Sequence, residues 1–260
     1  MHHLSYIFGA ICSIPLLPFL YFQAKAVRKA VPSLPEADVP FGMVNKGAAV
    51  SKRLLVIGES TMAGLGVQKH QDGFAGAFAT AWADALQVNV NWRVYAKSGF
   101  TAKEVREQIL PDIFTAKESA DLILIGLGGN EAFTLNPTWR WQKESKKLVD
   151  ALRQHFPDCP ILFTNMPPIR EFPAFTSLMQ FVLGSLVELH GRVLVDTVRS
   201  MDNVYAYGRV ITVSDWMKRL EIEGDIRDFF SDGVHPSQFT YQVWARDTLQ
   251  WWNNKQLIIK

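Results

Sequence analysis

Short apolar runs alternate with longer amphipathic segments from about residue 53 onwards, a pattern typical of repeated βα units around a parallel sheet. Five runs rich in β-branched residues predict strands at residues 54–57, 92–96, 122–125, 161–164 and 193–195. Between them, Trp141, Leu148 and Leu152 share one helical face, and Thr101 and Glu104 have the spacing of a capping box. We therefore predict a three-layer α/β/α fold around a five-stranded parallel sheet.

The segment before this pattern is different, because residues 4–23 contain no charged side chain. A helix of about 20 such residues is long enough to cross a bilayer, although Pro15 and Pro18 favour a kink. The positive charges follow, at Lys25, Arg28 and Lys29. Three interpretations stay open: a membrane anchor, a signal peptide cleaved near residues 24–26, and an interfacial or buried helix. The positive-inside rule favours the cytoplasmic side over the periplasmic side for the rest of the chain.

Composition limits the organisation and the partners. We expect a membrane anchor or signal segment over residues 1–30, a linker over 31–50 and one folded domain over 51–260. The net charge is only +2 without a long basic block, so we predict no nucleic-acid partner. The two cysteines and six histidines lack metal-ligand spacing, so we predict no metal and no other cofactor.

Polar side chains follow several of the predicted strands. Ser60 comes after the first strand, Gly99 after the second and Asn130 after the third, while Asp232 and His235 lie near the C-terminus. Each of these residues alone is common in turns and helix caps. In an open parallel sheet, however, ligands bind beyond the carboxyl ends of the strands. We therefore expect all five residues to lie on one rim of the sheet.

These residue types suit nucleophilic catalysis. The hydroxyl of Ser60 needs a base, and an imidazole such as that of His235 serves when the carboxylate of Asp232 fixes its tautomer. The oxyanion that forms during attack needs donors aimed at it. We propose the backbone N–H groups of Ser60 and Gly99 and the side-chain amide of Asn130 for this oxyanion hole.

Taken together, the motifs resemble those of the SGNH hydrolases, also called the GDSL esterase/lipase family, over about residues 53–252. The resemblance implies a flavodoxin-like fold with Ser60 as nucleophile, and it assigns the remaining motif residues to the same roles: oxyanion donors at Gly99 and Asn130, and acid and base at Asp232 and His235. The sequence departs from the family pattern twice, because Glu59 and Glu131 stand where the family has aspartate. Both changes keep the acid and add one methylene group.

The N-terminal segment with its basic flank resembles that of bacterial membrane-associated members of this family, which implies a location at the bacterial inner membrane. The proline-rich loop after the fourth strand resembles theirs as well. We expect Pro168, Phe172 and Phe175 to form a wall of the substrate pocket there. A rigid connecting loop without substrate contact is an equally good interpretation.

The leading hypothesis is hydrolysis of a carboxylic ester, small or lipidic, through an acyl-serine intermediate. One alternative is deacetylation or acyl transfer on a cell-envelope saccharide by the same residues. A second alternative is a catalytically silent module tethered to the membrane, because a fold does not determine a function. The sequence does not predict the oligomeric state.

Overall fold

The computed structural model describes residues 2–208 and 210–259, with side chains up to residue 255. The strands of its sheet are β1 (Phe41–Val44), β2 (Ser51–Gly58), β3 (Asn89–Ala96), β4 (Leu122–Gly126), β5 (Ile161–Phe163) and β6 (Val204–Ala206). Their order is β1-β3-β2-β4-β5-β6, with β1 antiparallel to β3 and the other neighbours parallel. The predicted flavodoxin-like α/β/α fold is confirmed, with six strands instead of five.

The helices of the described residues are α1 (His2–Ser13), α2 (Leu17–Ala30), α3 (Phe74–Leu86), α4 (Ala102–Glu104), α5 (Leu110–Thr115), α6 (Gly129–Phe133), α7 (Thr138–His155), α8 (Ser177–Val198), α9 (Val213–Arg219) and α10 (Gln238–Ile259). A π-helical turn, Val105–Ile109, lies between α4 and α5. The predicted capping box is present at the start of α4, where Glu104 Oε2 accepts from the Thr101 N–H at 2.7 Å.

The strand order makes the sheet doubly wound. From the central strand β2 the chain moves outwards to β3 and then returns past β2 to β4, β5 and β6. Right-handed crossovers therefore place α3 and α4 on opposite faces of the sheet. Helix α10 packs against α3, and α7 packs against α4 and α8. The loops after β2 and β4 leave in opposite directions, and such a switch point forms the crevice where ligands bind in these folds.

The core lies on both faces of the central strands. All five residues of β4 are buried, and so are the last five of β2. Parallel strands covered by helices on both faces require such continuous apolar runs. The predicted helical stripes are also confirmed, since Trp141 in α7 and Tyr241 in α10 are among the largest fully buried side chains.

The predicted strand at residues 193–195 is wrong, because these residues belong to α8. Val193 and Leu194 are buried at helical spacing with Val187 and Val198. A short β-branched run buried in a helix looks like a buried strand when periodicity is weak. The fifth parallel strand is instead β6, which has only three residues.

The segment 31–50, which we expect to be a linker, contains the edge strand β1. Phe41 and Met43 are exposed, so β1 is held mainly by main-chain pairing with β3. Gly42 permits close approach to β3, because a Cβ atom there would lie 2.4 Å from Cζ2 of the Trp92 ring. A strand with so little burial leaves almost no trace in the hydrophobic pattern.

Two helical segments of the described chain are long and apolar enough to cross a membrane. One is residues 2–30, where α1 and α2 join through a 3-10 turn at Ile14–Leu16, and we call it the N-terminal helix. The other is α8, half of which is buried as a core helix of the domain.

Candidate active site

Ser60 lies in the tight turn that follows β2. The Glu59 N–H donates to the carbonyl of Gly126 in β4, and the Leu65 N–H donates back to the Ser60 carbonyl at 3.1 Å. Ser60 is half-buried. Its own N–H makes no hydrogen bond to any group in the described part of the chain. The turn therefore places both the hydroxyl and a free N–H donor at the carboxyl end of the sheet.

Asp232 and His235 form the pair that their spacing predicts. Oδ2 of Asp232 lies 2.8 Å from Nδ1 of His235. Oδ1 accepts from the backbone N–H groups of Val234 at 2.9 Å and His235 at 2.7 Å. Gly233 adopts φ 86°, a left-handed conformation that suits glycine and folds the carboxylate back over the turn.

The carboxylate of Asp232 has no exposed side-chain surface, while the His235 side chain is 20% exposed. Burial acts to raise the pKa of Asp232, but the hydrogen bonds from the His235 ring and from the backbone hold that pKa below its usual value. The ionised carboxylate accepts the Nδ1 proton. Nε2 of His235 then keeps its lone pair and can accept a proton from a substrate or a hydroxyl group.

The serine turn and the histidine turn pack against each other. A Cβ atom at Gly66, six residues after Ser60, would lie 2.3 Å from the carbonyl oxygen of Pro236. The Tyr241 hydroxyl donates to the Leu65 carbonyl at 2.8 Å, which ties α10 to the serine turn. The Ser60 hydroxyl forms no hydrogen bond with His235 among the described residues. Such catalytic contacts often tighten only when substrate binds.

Gly99 and Asn130 occupy the two neighbouring loops. Gly99 has φ 87° with open space where a Cβ atom would lie, and its N–H has no partner within the described chain. Nδ2 of Asn130 donates to the Phe100 carbonyl at 3.1 Å. That bond uses one of the two N–H bonds of the amide and fixes its orientation, so the second remains available.

Two buried glutamates hold these loops in place. Glu59 accepts from the N–H of Gly129 through Oε1 and from the N–H of Asn130 through Oε2, both at 2.8 Å. Burial raises the pKa of Glu59 to about 7, although these hydrogen bonds act to lower it. The Glu59 side chain thus ties the serine turn to the loop that carries Asn130.

Glu131 makes a second link of this kind, between the loop that carries Asn130 and the start of α4. Its Oε1 accepts from the Ala102 N–H at 2.8 Å, and its Oε2 accepts from Nδ2 of Asn136 at 2.6 Å. Burial raises the pKa of this carboxyl group as well. Because Ala102 begins α4 just after Gly99, Glu131 ties the second loop to the third. These clamping roles were not part of the predicted site.

The predicted pocket wall follows β5. Pro168 and Phe172 are buried, whereas Phe175 is half-buried. The ring centroid of Phe175 lies 5.3 Å from that of Phe172 and 5.9 Å from that of Phe133. The Ala174 N–H donates to the Gly233 carbonyl at 3.1 Å, which joins this wall to the turn of Asp232 and His235. Among the described residues, no three His, Cys, Asp or Glu side chains cluster as metal ligands would.

The fold and its motifs are those of a carboxylic ester hydrolase. Residues 56–243, which include all five predicted catalytic and oxyanion positions, match the model of the GDSL-like lipase/acylhydrolase family. The chain belongs to this family. No curated protein sequence matches the chain significantly.

Solved structures with low sequence identity share the fold. A lipase from a goat rumen metagenome is 20% identical, with a TM-score of 0.59, and 76% of this chain aligns with 96% of that one. A family 3 carbohydrate esterase from Clostridium thermocellum is 14% identical, with a TM-score of 0.55 and coverage of 77% and 94%. A phospholipase A1 from Streptomyces albidoflavus is 14% identical, with a TM-score of 0.52 and coverage of 77% and 99%.

Proposed function

We propose that this ester hydrolase works through an acyl-serine intermediate on Ser60, with His235 as general base and Asp232 as its partner. The observation that carries the proposal is the contact of 2.8 Å between Asp232 and His235 on a segment packed against the serine turn. A buried carboxylate that holds an imidazole in one tautomer makes the opposite ring nitrogen a base.

The first half of the reaction forms the acyl-enzyme. Nε2 of His235 takes the proton of the Ser60 hydroxyl as its oxygen attacks the ester carbonyl carbon. The imidazolium, stabilised by Asp232, then gives that proton to the departing alcohol. In the second half, His235 deprotonates water as its oxygen attacks the acyl carbon. The imidazolium then returns this proton to the departing Ser60 oxygen, which releases the carboxylic acid and free Ser60.

Negative charge develops on the carbonyl oxygen in both halves. The unpartnered N–H groups of Ser60 and Gly99 and the free N–H of the Asn130 amide are the donors for it. Donors fixed in advance cost no reorganisation during the reaction. Glu59 and Glu131 are positioning residues, because they hold the backbone that carries these donors.

The acyl chain of the substrate lies against Phe175 in this proposal. Phe175 is half-buried next to the turn of the catalytic pair. Pro168 and Phe172 are buried, and the Phe172 ring packs against that of Phe175. The edge-to-face contact of Phe175 with Phe133 extends this apolar wall away from His235. Such a wall suits esters with a hydrocarbon acyl chain.

Replacing the proposed nucleophile tests the mechanism. We expect Ser60→Ala to abolish turnover of p-nitrophenyl butyrate while its circular dichroism spectrum and melting temperature stay like those of the wild type. The matched control is Ser119→Ala, because Ser119 is exposed just before β4, at the opposite end of the sheet. Retained turnover in a folded Ser60→Ala variant would exclude Ser60 as the nucleophile.

A second candidate substrate is an acetylated saccharide, which would use the same catalytic residues. A cavity of about 500 Å³, lined in part by Phe100, favours it, because its lining also includes the polar side chains of Glu36, His70, Lys97 and Gln108. Rates on p-nitrophenyl esters of increasing chain length and on acetylated xylose separate the candidates. Preference for longer acyl chains supports the apolar wall, and preference for the acetylated sugar supports the saccharide.

A further inference from the structure

The N-terminal helix lies along the domain over nearly its whole length. Near its start, Nε2 of His2 lies 2.9 Å from Oδ2 of Asp196, close to the end of α8. Near its end, Gln23 Oε1 accepts from the Thr176 hydroxyl at 2.6 Å, at the N-cap of α8. The N-terminal helix and α8 therefore run antiparallel, side by side, from residue 2 to residue 23.

Further contacts attach the first turns of the helix to α7 and to the loop before it. Nδ1 of His3 lies 2.8 Å from Oγ1 of Thr138. The Tyr6 hydroxyl donates to the Leu135 carbonyl at 3.2 Å, and the Tyr6 ring packs edge-on against Trp139 at 5.3 Å. Both ends of the helix therefore contact the domain.

This helix turns most of its apolar side chains away from the domain and several polar side chains towards it. The side chains that touch the domain are polar at His2, His3, Tyr6 and Gln23, and apolar at Leu20 and Val27. The outward side chains are apolar and exposed, at Leu4, Phe8, Ile11, Ile14, Phe19 and Phe22. The exposed fraction of Phe8 reaches 72%. In a water-facing helix the apolar stripe packs on the core and the polar face is outside, so this outer face suits hydrocarbon.

We propose that the N-terminal helix lies flat in one leaflet of an anionic phospholipid membrane and does not cross the membrane. A crossing helix needs about 20 residues free of the domain, but contacts at both ends and the half-buried Leu16 and Leu20 between them leave no such stretch. Exposed basic residues at Lys25, Arg28 and Lys29 supply the charge that anionic head groups attract. Trp139, 47% exposed beside Tyr6, adds an aromatic ring at the level of the head groups.

This placement brings the bilayer close to the catalytic turn. Thr176, which bonds to Gln23, directly follows Phe175 in the chain, and Phe175 contacts Phe133, which is 40% exposed. An acyl chain leaving the leaflet would meet these two rings before it reached His235. The placement of the helix is independent of ester hydrolysis, so it can be tested without an activity measurement.

Cross-linking of the full chain in vesicles distinguishes a flat helix from a crossing one. In a Cys12→Ser background, the diagnostic pair is His3→Cys with Gln142→Cys, because Nε2 of His3 lies 3.2 Å from Oε1 of the half-buried Gln142. The reference pair is Gln23→Cys with Thr176→Cys. Each variant is bound to equimolar phosphatidylcholine and phosphatidylglycerol vesicles, floated on a density gradient and treated with a short bismaleimide. In a crossing helix, residue 3 would lie about 30 Å away, across the hydrocarbon core.

We expect the protein to float with the vesicles and both pairs to cross-link to similar extents. Cross-linking of the reference pair alone would overturn the proposal in favour of a crossing helix. Failure of the intact chain to float would overturn it as well, since the apolar face would then not bind lipid. Neither result depends on Ser60, so this experiment does not test the proposed ester hydrolysis.

Discussion

The carboxyl group of Glu59 connects loops that follow different strands, and the residue is buried. Burial raises its pKa to about 7 from an ordinary value of 4.5. A raised pKa in the folded state means that the native protein binds this proton more tightly than the unfolded chain. The stabilising contribution is therefore complete below pH 4.5 and is lost as the pH rises through 7.

Replacing Glu59 should remove this pH dependence. We expect the difference in unfolding free energy between the wild type and Glu59→Gln to fall by on the order of 3 kcal/mol from pH 4.5 to pH 7. Urea denaturation at a series of pH values measures this difference. The contributions of the other carboxyl groups cancel, because both proteins contain them. A difference that stays constant over this range would show that Glu59 ionises normally.

Asn130 should stabilise the transition state more than it stabilises the bound substrate. We expect Asn130→Ala to lower kcat by about 10²–10³ with little change in KM, the usual consequence of losing one oxyanion donor. Asn91→Ala is the control, because Asn91 is an exposed residue of β3 outside the site. An equal loss in both variants, or a rise in KM alone, would argue against this role.

The five site residues could be proposed from the sequence because each follows a strand, or stands in a turn, at a motif spacing that the sequence displays. The clamping by Glu59 could not be recognised in the same way. Its partners Gly129 and Asn130 lie about 70 positions away in the chain. Only the parallel pairing of β2 with β4 brings them together. Side-chain contacts of this kind depend on strand order, which hydrophobic periodicity does not encode.

Among the elements, burial decided which strands could be predicted. Strands β2, β4 and β5 each contain at least three consecutive buried residues, and β3 buries alternate positions, so their patterns are visible. Strand β6 has three residues, of which only Val204 is buried, and it follows the apolar helix α8, whose Val193 and Val195 gave a stronger strand signal. Tertiary burial of α8 against the domain overrides the β propensity of those valines.

The edge strand β1 depends on the absence of a side chain at Gly42. A methyl group there would meet the buried ring of Trp92 at 2.4 Å. We expect Gly42→Ala to lower the unfolding free energy by about 1–3 kcal/mol through overpacking. Met43→Ala is the control in the same strand, because Met43 is exposed and its truncation should have little effect. Equal stabilities of the two variants would contradict the packing of β1 on β3.

At the scale of the whole molecule, the N-terminal helix approaches the proposed substrate wall where Gln23 bonds to Thr176, the residue after Phe175. We expect Phe8→Glu to weaken binding to vesicles of phosphatidylcholine and phosphatidylglycerol at least about tenfold, because a buried phenylalanine contributes about 2 kcal/mol. Turnover of a water-soluble ester should stay unchanged. Leu86→Glu is the control, an exposed position at the end of α3. Vesicle cosedimentation measures both, and unchanged binding of Phe8→Glu would exclude this face from lipid contact.

The central claim is that the hydroxyl of Ser60 is activated by His235, and covalent labelling tests it most directly. A fluorophosphonate reacts quickly only with a serine that a neighbouring base activates. Mass spectrometry of the wild type should find a single adduct on the peptide that contains Ser60. Ser60→Ala should give no adduct, and His235→Ala should label far more slowly. Rapid labelling at another residue, or a folded wild type that takes up no label, would contradict the account.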